Sequence, residues 1–98
     1  MTINPKQEGS KLTIALEGRL DTGSAPQLEG MLKETLRGVT ELEMDFAGLA
    51  YISSAGLRVL LSAMKVMKKQ GSMVVRNVND TIMDVLDVTG FADMLTIE

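Results

Sequence analysis

The sequence predicts a two-layer α/β fold, a mixed sheet of four to five strands with helices mainly on one face, and three features of the 98 residues predict it. Residues 11–17 and 41–46 alternate apolar with polar, the period of half-buried strands. Longer stretches between and after them repeat their apolar residues at helical spacing. The alternation also sets the layering, because parallel strands sandwiched between helices tend to be apolar throughout. These strands carry Thr13, Ala15, Glu17, Glu43 and Asp45 on their second face, which is therefore polar or only partly covered. The length suits one domain, 1–98, able to bury its own core, with no room for another.

Gly9-Ser10 reads as a turn before the strand at 11–17, which sets Leu12, Ile14 and Leu16 on one face. Residues 2–4 pair as the other arm of a hairpin, at a sheet edge because Pro5 has no N–H for a ladder. Ser24-Ala25-Pro26-Gln27 opens a helix: serine and glutamine stand at capping-box spacing, and proline occupies the first turn, where a missing N–H is harmless. Leu28, Met31, Leu32 and Leu36 then follow one helical face until Gly38 supplies a stop. The strand at 41–46 turns Leu42, Met44 and Phe46 inward. A strand joined through a helix to another strand of the same sheet normally runs parallel to it, so both finish at one sheet edge. Asp21 and Ser54 are thereby expected at the same end of the molecule.

Leu57, Leu60, Leu61 and Met64 fall at i, i+3, i+4 and i+7 and predict a helix over 55–69, with Gly71 as its stop and Lys65, Lys68 and Lys69 near its negative end. On this reading Ser54 is the N-cap, and the small Ala55 and Gly56 leave its hydroxyl open. Val59, Ala63 and Val66 widen the apolar arc beyond the ~100° a surface helix needs. Either a neighbouring helix covers that flank, or Val59 and Val66 belong to a partner surface. Met73-Val74-Val75 is a short buried strand, and Asn79 caps a helix that runs through Val88 and ends at Gly90. Residues 91–97 cover the remaining core, with 95–97 a further strand or a frayed tail. Met31, Met44 and Met64 read as core fillers, and Asp45 as a solvated or hydrogen-bonded strand-end carboxylate.

Ten basic against thirteen acidic residues, a net charge of -3 and three aromatics argue against nucleic acid as a partner. Without cysteine or histidine the chain has no thiolate nucleophile, no usual general base and no usual metal ligand. No glycine-rich phosphate loop stands in for them, so neither enzyme activity nor a cofactor is expected. The opening residues lack the apolar run of a signal peptide, and no stretch is long enough to span a bilayer. A cytoplasmic protein without direct membrane insertion is expected.

The segment Asp45-Phe46-Ala47-Gly48-Leu49-Ala50-Tyr51-Ile52-Ser53-Ser54-Ala55-Gly56-Leu57-Arg58-Val59-Leu60-Leu61 resembles the signature of STAS domains, specifically the small single-domain bacterial anti-sigma factor antagonists. So does Gly18-Arg19-Leu20-Asp21 followed by Thr22-Gly23-Ser24-Ala25. The resemblance implies an antagonist that binds an anti-sigma factor serine kinase while unphosphorylated, lets go once phosphorylated, and is restored by a serine phosphatase. The family's phosphorylated serine matches Ser54. Its usual preceding aspartate is replaced by Ser53, a minor second candidate. The implied partner face comprises Asp21, Thr22, Gly23, Ser53, Ser54, Ala55, Gly56, Arg58 and Val59, with Arg58 placed to meet an acidic group. Phosphate at an exposed helix N-terminus suits the fold, since it meets the positive end of the dipole. The alternative is a STAS subunit of a membrane lipid-transport or signalling assembly that does not cycle through phosphorylation.

Overall fold

Leu12, Ile14 and Leu16 are buried side by side with Leu42, Met44 and Phe46, as the alternation requires. In the computed structural model, which describes residues 1–98, the order is β1 (Thr2–Glu8), β2 (Lys11–Leu20), α1 (Ala25–Thr35), β3 (Glu41–Ile52), α2 (Ser54–Gln70), β4 (Ser72–Arg76), α3 (Asp80–Thr89), α4 (Phe91–Met94) and β5 (Thr96–Ile97). The five strands form one sheet in the order β1-β2-β3-β4-β5. Only β1 is antiparallel to its neighbour; β2 to β5 run parallel, each joined to the next through helix. The mixed five-stranded sheet is the one expected.

The strands run longer than their alternation suggested. β1 continues through Pro5 to Glu8, which an edge strand allows. β3 extends to Ile52 because two bulges each insert one extra β3 residue against β2. Ala15 and Glu17 pair with Asp45 and Gly48, then Gly18 and Arg19 with Leu49 and Tyr51. The inward set therefore changes from Leu42, Met44 and Phe46 to Leu49 and Ile52. Gly48 allows a close approach to β2: a Cβ there would stand 2.8 Å from Glu17 Cγ and 3.1 Å from the Leu16 carbonyl oxygen, so the Glu17 side chain would have to shift.

One core cluster of 24 buried residues fills the space between the sheet and its helices. Met44 is fully buried in it, while Met31 and Met64 pack against it half-buried. On the opposite face Thr13, Ala15, Glu43, Asp45 and Val74 are half-buried. Arg76 bridges that face, 2.6 Å from Glu43 and 3.0 Å from Glu98. Asp45 is the hydrogen-bonded strand-end carboxylate expected, accepting from Ala47 N–H and Asn77 Nδ2 at 2.9 Å each. Asn79 caps α3 by accepting from Ile82 N–H at 2.9 Å, and Gly90 ends it in the left-handed region. Residues 96 and 97 form a strand against β4, not a frayed tail.

Candidate functional site

β2 and β3 finish together: Leu20 pairs with Ile52, and the Ser53 N–H donates to the Leu20 carbonyl at 2.9 Å. The loop after β2 and the start of α2 thus share one corner of the sheet edge, where ligands commonly meet open α/β sheets. The shared corner expected for Asp21 and Ser54 is found.

The helix begins one residue earlier than its apolar repeat indicated, and this changes the roles of the two serines. Ser53 is the N-cap, with extended backbone, and its Oγ accepts from Gly56 N–H at 3.3 Å. Its carbonyl accepts the first helical bond, from Leu57 N–H at 2.9 Å. Ser54 is the first helical residue, exposed, and its hydroxyl makes no hydrogen bond within the chain. Ser53 is half-buried with its hydroxyl engaged; Ser54 is exposed with its hydroxyl free. No acidic residue occupies the first turn of α2, and the helix's earliest N–H groups have no intrahelical acceptor.

The neighbouring loop is built around Asp21. Its Oδ1 accepts from the Gly23 and Ser24 N–H groups at 3.0 Å each. Ser24 Oγ accepts from Asp21 N–H at 2.9 Å and lies 2.7 Å from the Arg19 carbonyl and 3.1 Å from Asp21 Oδ1, either of which can take its proton. Ser24 therefore binds the loop and makes no side-chain cap on α1, unlike the expected capping box. The Ser24 donors, the Gly23 N–H and the nearby Arg19 charge hold the Asp21 carboxyl below its ordinary pKa. Asp21 is thus an ionised acceptor with Oδ1 occupied by the loop and Oδ2 4.0 Å from Arg19 Nε.

Not every expected partner contact faces outward. Thr22, Gly23, Ser54 and Arg58 are exposed, and Asp21, Ser53 and Ala55 are half-buried. Gly56 is buried, and a Cβ on it would lie 2.7 Å from Leu20 Cγ and 3.0 Å from Ile52 Cγ1. Its smallness serves packing of α2 onto the strand ends, not access to the serine. Val59 is 3 % exposed, since α1 covers that flank, whereas Val66 on the same arc remains 41 % exposed. A depression of about 320 Å³ beside the serine is lined by Thr22, Pro26, Glu29, Ala55 and Arg58 among others.

Two residues at this corner were absent from the expected set. Arg19 stacks over the Tyr51 ring, 4.1 Å from its centroid, in the cross-strand pair before the loop. Tyr51 is 38 % exposed, so the stack borders Asp21 as open surface. Both lie inside the quoted motifs, yet their pairing depends on a register that the bulges hide.

A family model described as Mlab, STAS domain matches residues 3–96. The chain belongs to the STAS domain family. This STAS chain is 28 % identical over 98 residues to the anti-sigma-B factor antagonist of Bacillus subtilis, spanning 99 % of this chain and 90 % of that one. It is 32 % identical over 88 residues to BtrV of Bordetella bronchiseptica, a candidate anti-sigma factor antagonist, spanning 88 % of this chain and 76 % of that one. Its fold matches the anti-sigma factor antagonist SpoIIAA in its unphosphorylated form with a TM-score of 0.80 at 19 % identity, over 99 % of this chain and 87 % of that one. The match to phosphorylated Bacillus SpoIIAA has a TM-score of 0.78 at 19 % identity, over 99 % and 91 %.

Proposed function

We propose that this STAS domain is an anti-sigma factor antagonist that binds an anti-sigma factor serine kinase while Ser54 is unmodified and is released when Ser54 is phosphorylated. The observation that carries this reading is the free, exposed Ser54 hydroxyl beside the pre-ordered Asp21 loop. A phosphate there adds about −1.5 to −2 charges at neutral pH. Ser54 sits at the foot of α2, where the helix dipole and unpaired N–H groups tolerate that charge within the domain itself. A partner packed on the same corner must instead desolvate it unpaired, which costs roughly 2–5 kcal/mol, about 30-fold or more in affinity. A serine phosphatase restores the binding form, and this role places the protein in the cytoplasm with its partners.

The structure gives the departure at position 53 a physical meaning. That position is the helix N-cap, where serine and aspartate do the same backbone work. Ser53 keeps the cap and leaves out a negative charge next to the acceptor.

The test is binding of wild type, Ser54→Ala and Ser54→Asp to the cognate kinase, with intact-mass and site mapping after incubation with ATP. Wild type and the Ala variant bind, the Asp variant binds about 30-fold more weakly or worse, and one phosphate maps to Ser54. Full binding by the Asp variant together with no phosphate uptake by wild type would leave the structural-subunit role instead.

A further inference from the structure

The depression beside Ser54 opens into a longer groove between α1 and α2. The groove has a volume of about 480 Å³, and the two hollows share Glu29 and Val59. Its floor is apolar: Leu32, Leu36, Val59 and Ala63 are buried there, and Val66 is 41 % exposed. Its rims are basic. Lys33 and Arg37 line it on the α1 side; on α2 the exposed Arg58, Lys65 and Lys69 do not line it but stand one helical turn from the lining residues Ser62 and Val66. Glu29 and Lys33 pair at 3.6 Å and offset each other, so the unopposed positive charge is that of Arg37 and of the α2 flank, which contains no acidic residue at all. In a chain of net charge -3 this face is a local reversal of sign.

The groove offers a partner no backbone to pair with. Both walls are helices whose N–H and C=O groups are used internally, and Gln70 Nε2 already occupies the Leu36 and Val39 carbonyls at 2.6 and 2.7 Å. An occupant must therefore satisfy its own backbone, as a helix does. From Ala55 to Gln70 the wall runs about 24 Å, some four turns. A concave apolar floor between cationic rims fits a ridge of apolar side chains flanked by carboxylates. It does not fit a nucleic acid, for which it holds no aromatic stacking surface, or a flat lipid headgroup layer.

We propose that this groove docks an acidic amphipathic helix of the same anti-sigma kinase that engages Ser54, giving the complex a second contact which the phosphate does not touch. The proposal rests on the preceding reading of Ser54. It is tested by titrating the cognate kinase into wild type, the double variant Lys65→Glu/Lys69→Glu, and Val66→Glu, at low and high salt. These side chains are exposed, and circular dichroism checks that each variant keeps the fold. Both variants are expected to bind at least about tenfold more weakly than wild type, and the double variant is expected to lose most of the salt dependence. Variants that bind like wild type, while wild type is still released on phosphorylation of Ser54, overturn the groove and leave the proposed function standing. A wild type that binds no kinase overturns both. Salt-sensitive self-association, or binding to phosphatidylglycerol vesicles or duplex DNA, abolished by these variants while kinase binding is unchanged, assigns the groove to another occupant and likewise overturns the proposal.

Discussion

Asp21 shows how one side chain orders the loop after β2. Its Oδ1 gathers the Gly23 and Ser24 N–H groups and so constrains the loop, which on the proposed function would leave a partner less ordering to supply. The same contacts lower its pKa from 3.8, the Ser24 N–H being the largest cause. In that situation the unfolded chain binds the proton more readily than the folded one. The stabilisation is therefore present above 3.8 and disappears as pH falls through the lower folded value. A carbon-detected NMR titration of the Asp21 carboxyl should give a midpoint below 3.8. Urea unfolding should show wild type losing more stability than Asp21→Asn between about pH 5 and pH 3. A midpoint at or above the ordinary value contradicts the geometry. The two serines make the complementary point: capping chemistry alone does not distinguish adjacent serines, and the Ser53 N–H bond to Leu20 decides which of them caps.

At the scale of elements, the site depends on α2 being pinned at both ends. Gly56 lets its first turn settle on Leu20 and Ile52. At the other end Gln70 donates to two carbonyls just past α1, and Gly71 approaches Thr40 so closely that a Cβ would lie 1.8 Å from its carbonyl oxygen. Gln70→Ala leaves those carbonyls to solvent and should lower stability by about 1 kcal/mol, read as a shifted urea midpoint with unchanged slope. The helices and the opening half of each central strand were legible from their apolar period, which the caps at Asn79 and Gly90 reinforced for α3. The second half of β3 was not. Its two bulges break the alternation after Phe46, and with it went the Arg19–Tyr51 stack and the true start of α2. The wide apolar arc of α2 was legible as a pattern but held two answers: α1 covers Val59 and leaves Val66 in the open groove.

Across the whole molecule, the interior is apolar and its polar groups are satisfied. The 25 buried residues include no polar or charged side chain, and no buried side-chain donor or acceptor lacks a partner. The core therefore holds no buried charge or polar network whose state a surface phosphate could alter. Ser54 lies outside it, on the rim where β3 passes into α2. On the proposed function, the charge of a phosphate there would act on the docked partner while the fold underneath stays as it is. Phosphorylated protein compared with unmodified protein by amide correlation spectra should therefore show shifts concentrated in the loop after β2 and the first two turns of α2, with β1, β4, α3 and β5 unmoved. Its unfolding free energy should stay within about 1 kcal/mol of the unmodified value, raised if anything by the favourable helix dipole. Shifts spreading through β4 and α3 would mean that the phosphate repacks the domain, and release of the partner would then follow from a changed shape and not from a charge placed in its way.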